Sequence, residues 1–244
     1  MAGNRILSRF IYSITLLTVF SNSQSQAFSG FGVEIDNYIK DSASRYQISE
    51  SMLRGLVKIE DGWYGKISHT GATGIGQFTV GTWNWLANTI EGTKIGMIPI
   101  TSGNKNTSSD PRRNKKINTL ATALLASWHI EQFTLRGIPP TDENLYMAHN
   151  IGLDGFYRAT LGKSTAEDIK NMRRNGMKKG MSVSDFITYQ KNRYTQNKLI
   201  ANFIVPASSE NDKDFKWITP KDNDDFIWVE PEQQQIVWIE PKSK

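Results

Sequence analysis

The sequence predicts a mainly α-helical protein, one helical domain followed by an extended C-terminal tail. Three observations carry this reading. Apolar residues recur at helical spacing in successive segments between positions 33 and 204. Residues 206–244 are acidic and polar and lack any long-period helical signal. A chain of 244 residues with 38% hydrophobic content suits one domain of ordinary size, with one core, plus extensions.

Composition narrows the chemistry. A net charge of +5 favours an anionic partner such as a cell-wall polymer, nucleic acid or a membrane surface. No compact Lys/Arg block with interleaved aromatics occurs, so nucleic acid is not expected. Cysteine is absent, which removes disulfides and thiolate metal sites. His69, His129 and His149 lack metalloprotease spacing, so neither a metal nor a cofactor is expected.

Residues 1–27 read as a secretory signal peptide. Arg5 and Arg9 give the positive start, and Phe10 to Phe20 form an apolar run too short for a stable membrane anchor. Ser25-Gln26-Ala27 fits a cleavage site, and the absence of cysteine there argues against lipoprotein processing. An uncleaved anchor is the alternative. The mature chain is expected outside the inner membrane, in the periplasm or against the cell wall.

The domain spans residues 28–205. Its first helix runs from Val33 to Tyr46, with Ile35, Tyr38, Ile39 and Ser42 on one face. Ser49 caps the next helix, Glu50 adds negative charge to its first turn, and Ile48 with Leu53 fits a hydrophobic staple. Leu53, Leu56, Val57 and Glu60 share one face of this helix, so Glu60 is a carboxylate on a core-facing stripe. Such a group resists ionisation, and its pKa should rise. Asp61-Gly62 ends the helix, glycine being the usual residue past a C-terminus. The dense glycines Gly71, Gly74 and Gly76 then permit a tight turn or a close backbone approach.

Thr79 to Ile90 reads as a helix in which Trp83 and Trp85 cannot share a face; one packs in the core and the other is open to stacking on sugar rings. Glu91 to Asn114 reads as a long loop. Ile117 to Leu135 is helical, with Ala121, Leu124, Leu125, Trp128 and Phe133 apolar. After Gly137-Ile138-Pro139-Pro140, Thr141 or Asp142 caps a helix carrying Tyr146 and His149. Leu161 to Gly180 reads as a polar hairpin or flexible connector, and Val183 to Ile204 as a final helix.

Ser68-His69-Thr70-Gly71-Ala72-Thr73-Gly74-Ile75-Gly76-Gln77 resembles the S-x-x-G-A-x-G-[L/I]-M-Q motif of the soluble lytic transglycosylases. Ala148-His149-Asn150-Ile151-Gly152 is similar to that family's A-Y-N-x-G, and the Asp110-Pro111 turn also fits. The resemblance covers roughly Val33 to Phe203. It implies a lysozyme-like α+β fold, cleavage of peptidoglycan glycan strands, and a catalytic glutamate ending a helix just before the glycine motif, which is Glu60. It also implies that Ser68, Gln77, His149 and Asn150 bind substrate. This chain departs from the pattern at Asp61, Gly76 and His149, where the family has serine, methionine and tyrosine. The family tyrosine holds the glutamate; here either His149 or Tyr146, one turn earlier, is available for that contact. A hydrolytic lysozyme of the same fold and a non-catalytic wall-binding module are the competing readings.

The tail carries three segments of the form apolar-x-Trp-[Ile/Val]-x-Pro, centred on Trp217, Trp228 and Trp238. Alternation at period two places each Trp with the apolar residue two before it on one face of an extended strand. Such segments suit addition to a sheet edge, so a protein partner is expected on residues 206–244, with fold-back onto the catalytic domain as the alternative. Truncation after Val205 is expected to leave activity on purified peptidoglycan unchanged while function in the cell is lost; insolubility or a much lower melting temperature would place the tail in the fold.

Overall fold

The computed structural model describes residues 28–203; the signal-peptide and tail readings lie outside them. The described residues are mainly α-helical, as the periodicity predicts. In order they form α1 (Val33–Tyr46), α2 (Glu50–Glu60), α3 (Val80–Ala87), α4 (Ile90–Lys94), a 3-10 turn (Pro111–Arg113), α5 (Lys115–Arg136), α6 (Asp142–Ile151), α7 (Leu153–Thr160), α8 (Ala166–Arg174) and α9 (Val183–Asn202). The β component implied by the resemblance reduces, among the described residues, to two isolated antiparallel bridges, Ile67 with Thr73 and Thr73 with Phe78.

The α2 helix sits at the centre of the larger core. Ser49 caps it by accepting from the Met52 amide at 3.1 Å. Met52, Leu53, Leu56, Val57 and Ile59 are buried. The α9 helix crosses it closely: the Tyr194 hydroxyl donates to the Met52 carbonyl at 3.0 Å, and Arg54 donates from Nε to the Ala201 carbonyl at 3.1 Å. Both bonds are buried, so these side chains satisfy backbone carbonyls that packing has covered.

The α5 helix divides the apolar interior. Every residue from Asn118 to Ala126 is buried. Ala123, Ala126 and Phe133 belong to the larger cluster around α1, α2, α6 and α9. Leu120, Ala121, Leu124 and Leu125 face a second cluster with Phe78, Trp83, Leu86, Ile95 and Met97. A helix apolar all round is one enclosed on both sides.

Two connector readings are corrected. The segment from Glu91 to Asn114 is not wholly loop, since α4 covers its start and a 3-10 turn its end. Thr89 caps α4 through the Gly92 amide at 2.9 Å. The remainder is held by Trp83 Nε1 donating to the Ile98 carbonyl at 2.8 Å and by Asn84 bonding both backbone groups of Ile100. Leu161 to Gly180 is not a hairpin, because α8 occupies its middle. A capping box between Thr165 and Asp168 starts that helix, and buried Met172 anchors it. Sequence patterning missed it because its polar residues outnumber its apolar ones. The helix after Gly152, α7, had no predicted counterpart either.

Arg112 is fully buried and ties the long connector to the glycine turn. It pairs with Asp110 at 2.7 Å. Its Nη1 donates to the carbonyls of Gly71 and Phe78, both at 2.9 Å, and its Nη2 donates to Asn106 at 3.3 Å. Burial alone raises the Asp110 pKa, but hydrogen bonds from Arg112 and from the Asn106 and Arg112 amides outweigh it and hold the carboxyl below its ordinary value. Arg112→Ala should therefore destabilise the domain by about 3–5 kcal/mol, because it strands a buried carboxylate. Arg112→Lys should recover little of this, since one ammonium cannot reproduce the fork. Denaturant unfolding of the two variants measures both effects.

Candidate active site

Glu60 is the last residue of α2. The chain reverses at Asp61, whose φ of 56° is left-handed. This corrects the expectation that Gly62 would supply the reversal. Gly62 has a different duty: a Cβ there would lie 2.1 Å from the Gly74 carbonyl oxygen and 2.3 Å from Gln77 Nε2. The end of α2 and the glycine turn thus lie against each other, which only a bare backbone permits. Asp61 itself is occupied, accepting from the Tyr64 hydroxyl at 2.6 Å and from Lys66 at 3.1 Å.

Glu60 opens onto a cleft of about 890 Å³. Ser68, Gln77, His149 and Asn150 line the same cleft, so the motif residues converge on it. Burial raises the Glu60 pKa from 4.5 to about 7, and the positive charge of Arg193 offsets part of that rise. Among the described residues no hydrogen bond reaches the Glu60 carboxylate. Its proton is held by desolvation rather than by a partner.

Neither proposed support for Glu60 forms. The Tyr146 hydroxyl donates instead to Gln190 Oε1 at 3.3 Å. Tyr146 is buried, and burial followed by the charge of Glu60 raises its pKa, so it remains a neutral phenol behind the acid. His149 turns toward the glycine turn, where its Nε2 lies 2.8 Å from the Gly76 carbonyl oxygen. A carbonyl only accepts, so Nε2 carries the proton. Burial lowers the His149 pKa, although the bond to Gly76 raises it in part, and the ring is neutral. The imidazolium that would lower the pKa of Glu60 is therefore not formed.

Two of the three motif departures, Gly76 and His149, touch each other. Gly76 cannot carry the family methionine, because a Cβ would meet Thr122 Oγ1 at 2.1 Å. Its amide donates to Asn118 Oδ1 at 2.8 Å and its carbonyl takes the His149 proton. His149 acts here as a staple between α6 and the turn.

The remaining motif residues divide by role. Ser68 Oγ accepts from the Ala72 amide at 2.9 Å and so shapes the turn it begins. Gln77 donates from Nε2 to the carbonyls of Lys66 and Gly74, both at 3.0 Å, leaving its Oε1 as the free end. The Oδ1 of Asn150 is buried without a partner, an acceptor in need of a donor. Sequence reasoning missed other lining residues. Trp128 and His129 come from α5, Asp154 from α7, and Asn171 and Arg174 from the unpredicted α8. Trp128 had an apolar-face signal that read as packing alone. His129 is buried and held neutral, its pKa lowered to about 3 by desolvation and then by His149. Among the described residues no three His, Asp or Glu side chains gather closely enough to hold a metal ion.

Variants at His149 test the staple. His149→Phe should leave the Gly76 carbonyl unsatisfied and destabilise the domain by about 1–3 kcal/mol. His149→Gln places an amide nitrogen near the position of Nε2 and should recover most of that loss. Equal melting temperatures for the Phe and Gln variants would remove the hydrogen bond from the account.

No protein-family model matches the chain, and no curated protein matches it either.

Proposed function

We propose that this protein cleaves the MurNAc-GlcNAc β-1,4 bond of peptidoglycan as a lytic transglycosylase of lysozyme-like fold, with Glu60 as its general acid and base. The observation that carries the reading is a carboxyl at the end of α2, open to a large cleft, with its pKa raised to about 7. An acid of that strength is half protonated near neutral pH, where a proton donor works best. The motif resemblance supplies the substrate class, and the net positive charge suits an anionic wall.

In the proposed reaction, protonated Glu60 donates to the glycosidic oxygen as the bond from that oxygen to the anomeric carbon breaks. The MurNAc C6 hydroxyl attacks the same carbon and returns its proton to Glu60. No water is consumed, and the products are a 1,6-anhydro-MurNAc end and a free GlcNAc 4-hydroxyl. One carboxylate serves both steps, whereas ordinary glycosidases employ two.

One observation favours hydrolysis instead. Asp154 also lines the cleft, and a second carboxylate there would activate water. Asp154 is mostly exposed and pairs with Arg136 at 3.2 Å. Mass spectrometry of digested peptidoglycan separates the readings: anhydro ends mean transglycosylation, and reducing ends mean hydrolysis.

Glu60→Gln should lower turnover by a factor of about 10² to 10⁴. The wild-type rate should fall as pH rises through about 7, because the acid form is lost. The same variant should show the linkage in stability. The folded pKa of Glu60 lies above its unfolded value, so between 4.5 and about 7 the native state holds more protons and stability falls as pH rises. The loss is complete above that range and amounts to at most about 3 kcal/mol, because the carboxyl keeps some contact with the cleft. Glu60→Gln removes this slope and should melt higher than wild type at pH 8. Wild-type turnover by a folded Glu60→Gln protein would overturn the assignment.

A further inference from the structure

Of the two tryptophans on α3, Trp83 is fully buried and bonded to the Ile98 carbonyl. Trp85 points the other way, 42% exposed. Among the described residues, it is the one large apolar side chain that is both exposed and part of the cleft lining. An exposed apolar ring on the wall of a cleft is a binding feature rather than a packing one.

The ring is held for that purpose. Trp128, from α5, packs edge-on against it with ring centroids 4.8 Å apart and planes at 64°. Trp128 is itself fixed, half-buried between the two apolar clusters and 5.4 Å from the His129 ring. An edge-to-face contact supports Trp85 from one side and leaves ring surface free. The same cleft is also lined by the hydroxyl-bearing side chains of Thr70, Thr79 and Thr82. Gly81 adds no bulk, and a Cβ there would meet nothing within 4 Å. A supported aromatic face in a cleft that also carries hydroxyls matches a pyranose, whose C–H face is apolar and whose edge is ringed by hydroxyls.

We propose that Trp85, backed by Trp128, is a stacking platform for a sugar ring of the glycan strand, in a subsite of the cleft that Glu60 lines. The inference rests on the glycan-cleaving reading. Its role is binding along the strand, so it acts on KM and affinity and leaves the proton chemistry of Glu60 alone.

The test uses the full mature chain and peptide-free glycan strands. Binding is measured by calorimetry in the Glu60→Gln background, with and without Trp85→Ala or Trp85→Phe; circular dichroism checks each fold. Trp85→Ala should weaken binding by about tenfold, the scale of one lost aromatic contact. Trp85→Phe, which keeps a flat ring, should stay within about threefold. In the otherwise native enzyme, Trp85→Ala should raise KM by a similar factor with kcat unchanged. If Glu60→Gln binds strands and Trp85→Ala binds them equally well, the platform is overturned and the glycan reading stands. If Trp85→Ala lowers kcat at constant KM, the platform is likewise overturned. If the Glu60→Gln chain fails to bind and the native enzyme leaves peptidoglycan intact, the glycan reading itself fails and takes the platform with it.

Discussion

The buried guanidinium of Arg112 is the constraint on which the site depends. Within the glycine turn, Ser68 takes the Ala72 amide and Gln77 and Thr73 donate to the carbonyls of Gly74 and Gly71, and the rest of the frame comes from outside. Arg112 takes the carbonyl of Gly71 at the start of the turn and of Phe78 just past its end. Asn118 completes the frame, accepting from the Gly76 amide and donating to the Arg112 carbonyl at 2.9 Å. Asp110 neutralises the cation and caps the short helix that carries it. A buried ion pair is weak evidence for stability in itself. Here its worth lies in specificity: five donors in a rigid fork fix a loop that would otherwise have many conformations.

That frame explains why α2 ends where chemistry is proposed. Gly62 can lie against the Gly74 carbonyl and the Gln77 side chain only because it has no Cβ. The approach crowds protein around Glu60 from the turn side, while α6 and α9 close it from the other. Desolvation follows from the packing, and the raised pKa follows from the desolvation. Position and acidity therefore have one cause.

Much of this was legible in the sequence, and the parts that were not share a reason. The bounds of α1, the Ser49 cap, the stripe on α2 and the Thr141 cap are local patterns, readable within one or two turns. Glu60 was legible because its spacing from Leu53, Leu56 and Val57 sets its direction. The α8 helix was not, because it is stabilised by Met172 and by the Asp168 pairing with Arg158 at 2.6 Å rather than by an apolar stripe. The left-handed turn at Asp61 went unseen because glycine, the residue next to it, is the more frequent solution. The bond from His149 to Gly76 joins residues far apart in the chain, and no local pattern announces it. The departures at Gly76 and His149 form one contact.

The consequence for Glu60 lies in what holds its proton. A hydrogen-bonding tyrosine would fix the carboxyl whatever filled the cleft. In this protein the nearby phenol of Tyr146 is committed to Gln190 and the imidazole of His149 to Gly76. The remaining controls are burial and the charge of Arg193. Burial is not constant, because the cleft side of Glu60 meets solvent until a ligand fills it. A sugar ring that displaces that water removes the last solvation of the carboxylate and raises its proton affinity further. Arg193 opposes this only weakly, since it is exposed and screened. In the proposed reaction, a sugar that fills the cleft would thus drive Glu60 toward the protonated form that the first step requires.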